Sequence, residues 1–278
     1  MRYLKEVFSA RELLANLTLR EIRGKYKRTI FGQLWSLANP LASMLIYTFV
    51  FGFIFQQRPD PGDPSGLNIF ALWLLCGLLP WTFFSLVVNT GMASLIDNAG
   101  LIQKVYFPRI VLPLSMVGSV GFNWLFEMGV LAIALTIVGG FVVPWLPLVV
   151  VVMILLAMFA AGIALLLAIA NVYFRDTQYF VSILLQIWMY LTPIIYPINL
   201  VIAQSNNVGG LVGTNITLVD LYRVNPMEQF VEVFRHLLYD NRFPDLSSSL
   251  SIVCWALVSL GLGLWVFSRS EKRMAENL

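Results

Sequence analysis

Apolar residues gather along this chain into six long runs separated by polar stretches. The hydrocarbon core of a bilayer takes about 20 apolar residues per helix. The runs cover 35–55, 67–88, 110–138, 142–170, 180–198 and 250–267. The third and fourth are long enough to tilt or to extend beyond the lipid. Pro80, Pro113, Pro144, Pro147 and Pro193 fall within or near the ends of runs, where proline kinks a helix or sets its cap. The pattern predicts an all-α, polytopic membrane protein. A six-span domain occupies 35–268, with a polar segment 1–34 before it and a tail 269–278 after it.

The polar stretches carry their own periodicity. In 4–34, Ala15, Leu19, Ile22 and Tyr26 form one stripe at helical spacing, and Arg20, Arg23 and Lys27 form a neighbouring one. This suits an amphipathic helix lying at the head groups; a plain topology signal is the alternative. In the loop 96–109, Leu101, Ile102 and Val105 give one turn or more of helix with an apolar face, and Pro108 stops it. Such a knob fits a groove on a soluble partner, or else it is a turn resting on lipid. The loop 171–178 holds the adjacent pair Arg175 and Asp176, and an Asp near the start of the next helix suits its dipole.

The stretch 199–249 is the longest outside the runs. Its first part, with Ser205, Asn206, Asn207, Gly209 and Gly210, reads as loop. Its second part carries a helix signature: Asn225 as N-cap, Pro226 at the first position and Glu228 three residues after the cap. Met227, Phe230, Val231, Phe234, Leu237 and Leu238 then mark an apolar face. From 226 to 239 such a helix rises about 21 Å at 1.5 Å per residue, too short to cross. The pattern predicts a short re-entrant or interfacial helix at one mouth, able to act as a lid, with a passive surface helix as the alternative.

Composition fixes the solvent. Of 278 residues 59% are hydrophobic and 12% charged, with mean hydropathy +0.79. A soluble domain carries about 25% charged residues, so an ordinary cytosolic enzyme and a disordered chain are both excluded. Of the 18 Lys and Arg, only Arg58, Arg223, Arg235 and Arg242 lie on the side of 199–249. The rest share the side of both termini, which the positive-inside rule places in the cytoplasm. Cys76 and Cys254 lie inside apolar runs, as buried free thiols rather than a disulfide or metal pair.

Little in the sequence points to catalysis. It holds no phosphate-binding Gly-rich loop, zinc spacing or nucleophile elbow. His236 has no partner at metal spacing and reads as a structural or solvated histidine. Asp220, Glu228, Glu232, Asp240 and Asp245 each fit a solvated helix face or turn. Glu127 is the ionisable residue deep in a run, with Asn123 one turn away and Trp124 between them. A mid-span acid costs roughly 2.5–3.5 kcal/mol on insertion and faces a bundle interior. Lining a polar path and fixing helix packing are both open to it. Aromatics crowd the first run (Tyr47, Phe49, Phe51, Phe53, Phe55) and the fifth (Trp188, Tyr190, Tyr196), for contact with lipid or with sugar rings.

The order of these features resembles the permeases of ABC exporters for cell-surface polysaccharides. The resemblance rests on Gly32-Gln33-Leu34-Trp35-Ser36-Leu37-Ala38-Asn39-Pro40 and Gly77-Leu78-Leu79-Pro80-Trp81-Thr82-Phe83-Phe84-Ser85. It continues through Ile102-Gln103-Lys104-Val105-Tyr106-Phe107-Pro108, Asn171-Val172-Tyr173-Phe174-Arg175-Asp176, Leu191-Thr192-Pro193-Ile194-Ile195-Tyr196-Pro197 and Asn225-Pro226, covering nearly the whole chain. It implies a multi-pass protein of the bacterial plasma membrane, paired with a second copy of itself and with two cytoplasmic ABC ATPase subunits. ATP and Mg would sit on those partners, with no cofactor, metal or nucleic acid on this chain. The cargo would be a lipid-linked polysaccharide of O-antigen, teichoic acid or capsule type.

On that resemblance Leu101, Ile102, Lys104, Val105 and Tyr106 form the helix seated in the ATPase, and Arg175 and Asp176 a cytoplasmic family motif. The outer helix with Asn225, Pro226, Phe230 and Phe234 gates the channel, and Tyr47, Phe51, Trp188, Tyr190 and Tyr196 are candidate sugar contacts. An ABC permease for drugs or small lipids, and a membrane-embedded glycosyl- or acyltransferase, are the alternatives.

Overall fold

A computed structural model of the chain describes residues 10–27, 29–56, 60–208 and 217–274, and no strand occurs among them. Arg2, Lys5, Arg28, Arg58, Gly209, Gly210 and the last four residues of the tail lie outside the described residues. The N-terminal polar segment forms α1, Arg11–Tyr26, with Glu12 in its first turn and Arg23 and Lys25 in its last, each sign suiting the helix dipole. It packs along α5 (Val111–Ile137) through Leu17, with Leu13 and Leu14 beside it. The Ala15–Leu19 part of the expected stripe points away from the protein, Leu19 being 45% exposed. The helix therefore has one apolar face for the protein and another for lipid.

Five helical stretches are long and apolar enough to cross a membrane: Gly32–Ile54, Phe70–Asp97, Val111–Ile137, Val143–Tyr173 and Leu246–Glu271. The first is α2, Trp35–Tyr47, entered through a 3₁₀ turn and continued by a π-helix, Thr48–Ile54. Its side chains stack into two ladders, Tyr47–Phe51–Phe55 and Phe49–Phe53, with ring centroids 5.7 to 6.3 Å apart. The others are α3 (Phe70–Asp97), α5, α6 (Leu146–Tyr173) and α11 (Leu246–Met274). Between α3 and α5 lies the short α4, Ala99–Ile102.

The fifth apolar run is built differently. It forms α7, Thr177–Tyr190, whose 14 residues rise about 21 Å. The backbone then leaves the helix ahead of Pro193, which lacks an N–H and disfavours helical geometry in the residue before it. The chain continues through turns over 191–197 into α8, Ile198–Val208, where Asn199 bonds Asp60; Ser205, Asn206 and Asn207, expected as loop, therefore lie on a helix. The stretch 199–249 continues through α9 (Leu218–Val224) and α10 (Pro226–Arg235), the latter prolonged by a π turn, His236–Asp240.

Helices α3 and α6 form the centre, with α5 against α3 and α11 against α6. The α6–α11 contact depends on small residues. A Cβ added at Gly162 would lie 2.2 Å from the Ser259 carbonyl carbon, and one at Gly263 would lie 2.6 Å from the Gly162 oxygen. Ser259 Oγ donates to Phe159 O at 2.8 Å across the same seam. Close backbone approach of this kind drives helix association where lipid tails are as apolar as the side chains. Gly162→Leu is therefore expected to separate α6 from α11, read as loss of the monodisperse peak in detergent; an unchanged elution and melting profile would contradict this packing. Cys76 is buried as expected, but Cys254 is exposed on α11, because an apolar run in lipid does not need to face protein.

Candidate functional site

Helix α10 begins where the sequence places it. Asn225 Oδ1 accepts from Met227 N at 3.0 Å, and Pro226 occupies the first turn. The reciprocal capping box forms instead one helix earlier, between Thr217 and Asp220, and those hydrogen bonds hold the Asp220 carboxyl below its usual pKa. Met227, Phe230, Val231, Val233 and Phe234 are fully buried. The helix is thus re-entrant, inserted against α3, α6 and α11 rather than resting on a surface.

Ring contacts fix its depth. Phe230 lies 5.6 Å from Phe159, near the middle of α6, and Phe234 lies edge-on to Trp124 of α5 at 5.8 Å. Trp124 itself stacks on Phe83 at 4.0 Å, midway along α3. The far end is tied to the loop before α3: Ser65 Oγ donates to Tyr239 O at 2.6 Å, and Tyr239 OH accepts from Ile69 N at 3.0 Å. Asn241, left-handed at φ 60°, closes the turn and accepts from Phe141 N at 2.7 Å.

The same helix holds the interrupted fifth crossing. Trp188 Nε1 donates to Asn225 Oδ1 at 2.8 Å, and Asn225 Nδ2 donates to Thr192 Oγ1 at 3.0 Å. The Arg235 guanidinium donates to Pro193 O and to Ile194 O, both at 2.7 Å, while lying 3.6 Å over the Trp73 ring. Backbone that leaves a helix at membrane depth needs such donors, because no water is there to satisfy its carbonyls. From sequence, Arg235 counted only as a charge on the outer side; the signal for its role is the Pro193 break, which frees carbonyls that some donor must meet.

Of the candidate sugar contacts, Trp188 is committed to this pin and sits against Trp81 and Phe84 at 6.1 and 5.3 Å. Tyr196 OH donates to Tyr190 O at 2.7 Å and lies 2.9 Å from Tyr222 OH. Tyr190 is exposed, and Tyr47, at the end of α2, and Phe51, on its π-helical continuation, are half-buried. The structure therefore groups Tyr190 with Tyr196, and Tyr47 with Phe51. The acids beside α10 are not all solvated as expected: Glu228 is only 7% exposed, and Glu232 accepts from Ser248 Oγ at 3.2 Å. Glu228 and Glu232 line two cavities of about 340 and 580 Å³. His236 is buried, its Nε2 2.7 Å from the Arg242 guanidinium, which also meets Asp240 at 3.4 Å.

At the opposite, basic end, Leu101 and Ile102 lie on the single turn of α4 and pack back against a cluster of Leu95, Ile110 and Phe267. Val105 and Tyr106 project instead, at 53% exposed and fully exposed respectively. Lys104 is exposed beside them. Glu271 of α11 accepts from Arg109 N at 2.7 Å, and Arg20 of α1 donates to Asn98 at 2.8 Å, so both terminal helices brace this loop. Arg175 and Asp176 are exposed, with Asp176 at the N-cap position of α7. Asn123 and Glu127 are buried on α5 and line a cavity of about 500 Å³.

Residues 12–239 match the family model described as ABC-2 type transporter. The chain is 28% identical over 278 residues, the whole of both chains, to the O-antigen export system permease protein RfbA of Myxococcus xanthus. It is 31% identical over 271 residues to a Klebsiella pneumoniae protein of the same name, covering 96% of this chain and 95% of that one. It is 26% identical over 266 residues, 93% of each chain, to the polysialic acid transport protein KpsM of Escherichia coli.

Proposed function

We propose a function from the premise that this chain belongs to the ABC-2 type transporter family and is a multi-pass membrane protein: it is the membrane-spanning permease of a polysaccharide exporter. The cargo is a lipid-linked or long-chain cell-surface polymer, and ATP is hydrolysed on separate subunits at the basic, cytoplasmic end. The observation that carries the reading is the match along nearly all of both chains to relatives named for O-antigen export.

Two features of the structure support it. Helix α10 fills the interior of a single copy to mid-depth, so a polymer path belongs at an interface between two copies. Helix α2 and its π-helical continuation bury only Pro40 and present Phe49 and Phe53, with Phe55 just beyond, while α7 presents Tyr179, Phe180, Ile183 and Ile187. These faces suit a partner copy, and aromatic rings at their edges suit sugar rings. The exposed Val105 and Tyr106 then meet the ATPase, and α1 passes its motion to α5.

The purified chain is expected to turn over no ATP alone. With its ATPase subunit it gains turnover, which a lipid-linked polymer stimulates and a hydrophobic drug does not. Turnover by the chain alone, or stimulation by the drug only, would overturn the reading.

A further inference from the structure

The 500 Å³ cavity beside α5 is bounded by α1, α2 and α3 and has walls of mixed character. Lys25 comes from the last turn of α1, Ser36 from the first turn of α2 and Glu127 from α5. Trp124 forms part of the wall, and its stacking on Phe83 places that part near mid-depth. The cavity therefore runs from the basic-end interface into one leaflet. Glu127 is 8% exposed and Trp124 only 2%. Among the described residues, Trp124 Nε1 has no hydrogen-bond partner. A buried polar atom of this kind calls for a ligand or water to meet it.

The charges decide what fits. Lys25 and Glu127 already balance, so the head group that keeps the cavity neutral is itself zwitterionic. A pyrophosphate head group would bring two or more negative charges against a carboxylate held among apolar walls. A primary ammonium offers three N–H donors to the carboxylate, whereas a quaternary one offers none. Trp35 and Leu86, 52% and 40% exposed at the rim, leave an apolar exit for acyl chains. We propose that this cavity binds an aminophospholipid of the phosphatidylethanolamine type, with the ammonium on Glu127 and the phosphate toward Lys25 and the Trp124 N–H. The lipid would wedge α1 and the start of α2 against α5, at the joint between the basic-end helix and the first span.

This goes beyond the export reading, and its test does not depend on cargo. The complex of the chain with its ATPase is equilibrated with equimolar phosphatidylethanolamine, phosphatidylcholine and phosphatidylglycerol, and retained lipid is counted by native mass spectrometry. Phosphatidylethanolamine is expected to exceed each of the other two by roughly tenfold, the scale of one charge-assisted hydrogen bond set against none. Glu127→Gln erases that preference. Lys25→Gln, on an exposed stretch of α1, keeps the preference but lowers total retention, and it carries the test if Glu127→Gln fails to fold. Equal retention of all three lipids, or an unchanged preference in Glu127→Gln, would overturn the proposal. So would a Lys25→Gln variant that retains as much lipid as the wild type. Displacement of the bound lipid by a polyprenyl pyrophosphate would assign the cavity to the cargo carrier instead.

Discussion

Arg235→Leu removes the folded permease from the membrane. The guanidinium meets two carbonyls, Pro193 O and Ile194 O, that the broken fifth crossing leaves without helical partners. Each buried acceptor stripped of its donor costs about 1–3 kcal/mol. Loss of the contact over Trp73 adds about 0.5–2 kcal/mol. The total is several kcal/mol against a native stability of about 5–15 kcal/mol. Leucine is similar in apolar character to the neighbouring side chains, but it offers the carbonyls nothing. Arg235→Lys restores a single compact donor and is expected to fall between the two. Asn225→Ala strikes the other end of the same pin, leaving Trp188 Nε1 and Met227 N without their acceptor. The measurement is thermal unfolding of purified protein in detergent, with Arg235→Leu lowest or absent. A wild-type melting temperature for Arg235→Leu would mean the break is held by something else.

Tyr106→Ala combined with Val105→Asp leaves the permease folded and stops it from driving its ATPase. These side chains project from the basic end, whereas Leu101 and Ile102 pack back onto the helix bundle. Leu101→Asp should therefore damage the fold, and the Val105 and Tyr106 changes should damage docking alone. A buried aromatic anchor at an interface is worth about 2 kcal/mol or more on truncation, roughly thirtyfold in affinity. The expected result is an unchanged melting temperature, ATPase binding weakened at least tenfold, and no cargo stimulation. Full stimulation in the double variant would remove this loop from the coupling.

Much of the architecture is legible in the sequence because a continuous run of about 20 apolar residues is the length and chemistry of one bilayer crossing. The start of α10 is legible too, since Asn225 and Pro226 combine a cap with a residue suited to the first turn. Its burial is not legible. An apolar face at Met227, Phe230 and Phe234 fits a surface helix as well as an inserted one, and only the three-dimensional contacts with Phe159 and Trp124 separate the two. The break in the fifth run hides for a related reason: 180–198 is apolar whether helical or not, and Pro193 alone does not tell a kink from a break. On α1 the sequence pattern marks one apolar stripe, through Leu19, while the structure buries a different one, through Leu17. In lipid, hydrophobicity does not distinguish the face that meets protein, at Leu17, from the one that does not, at Leu19. Glu228 looks solvated only while its helix is taken for a surface element, and its burial follows once the helix is inserted.

Export of polymer by this chain with an ATPase is tested most directly in proteoliposomes. The chain and its ATPase subunit are reconstituted with a fluorescent lipid-linked polysaccharide on the ATP-accessible face, and the polymer appearing on the other face is measured. ATP-dependent transfer is predicted, lost in the Val105 and Tyr106 double variant and absent when either subunit is omitted. Equal transfer without ATP, or ATP-driven movement of a small amphiphile with none of the polymer, would contradict it.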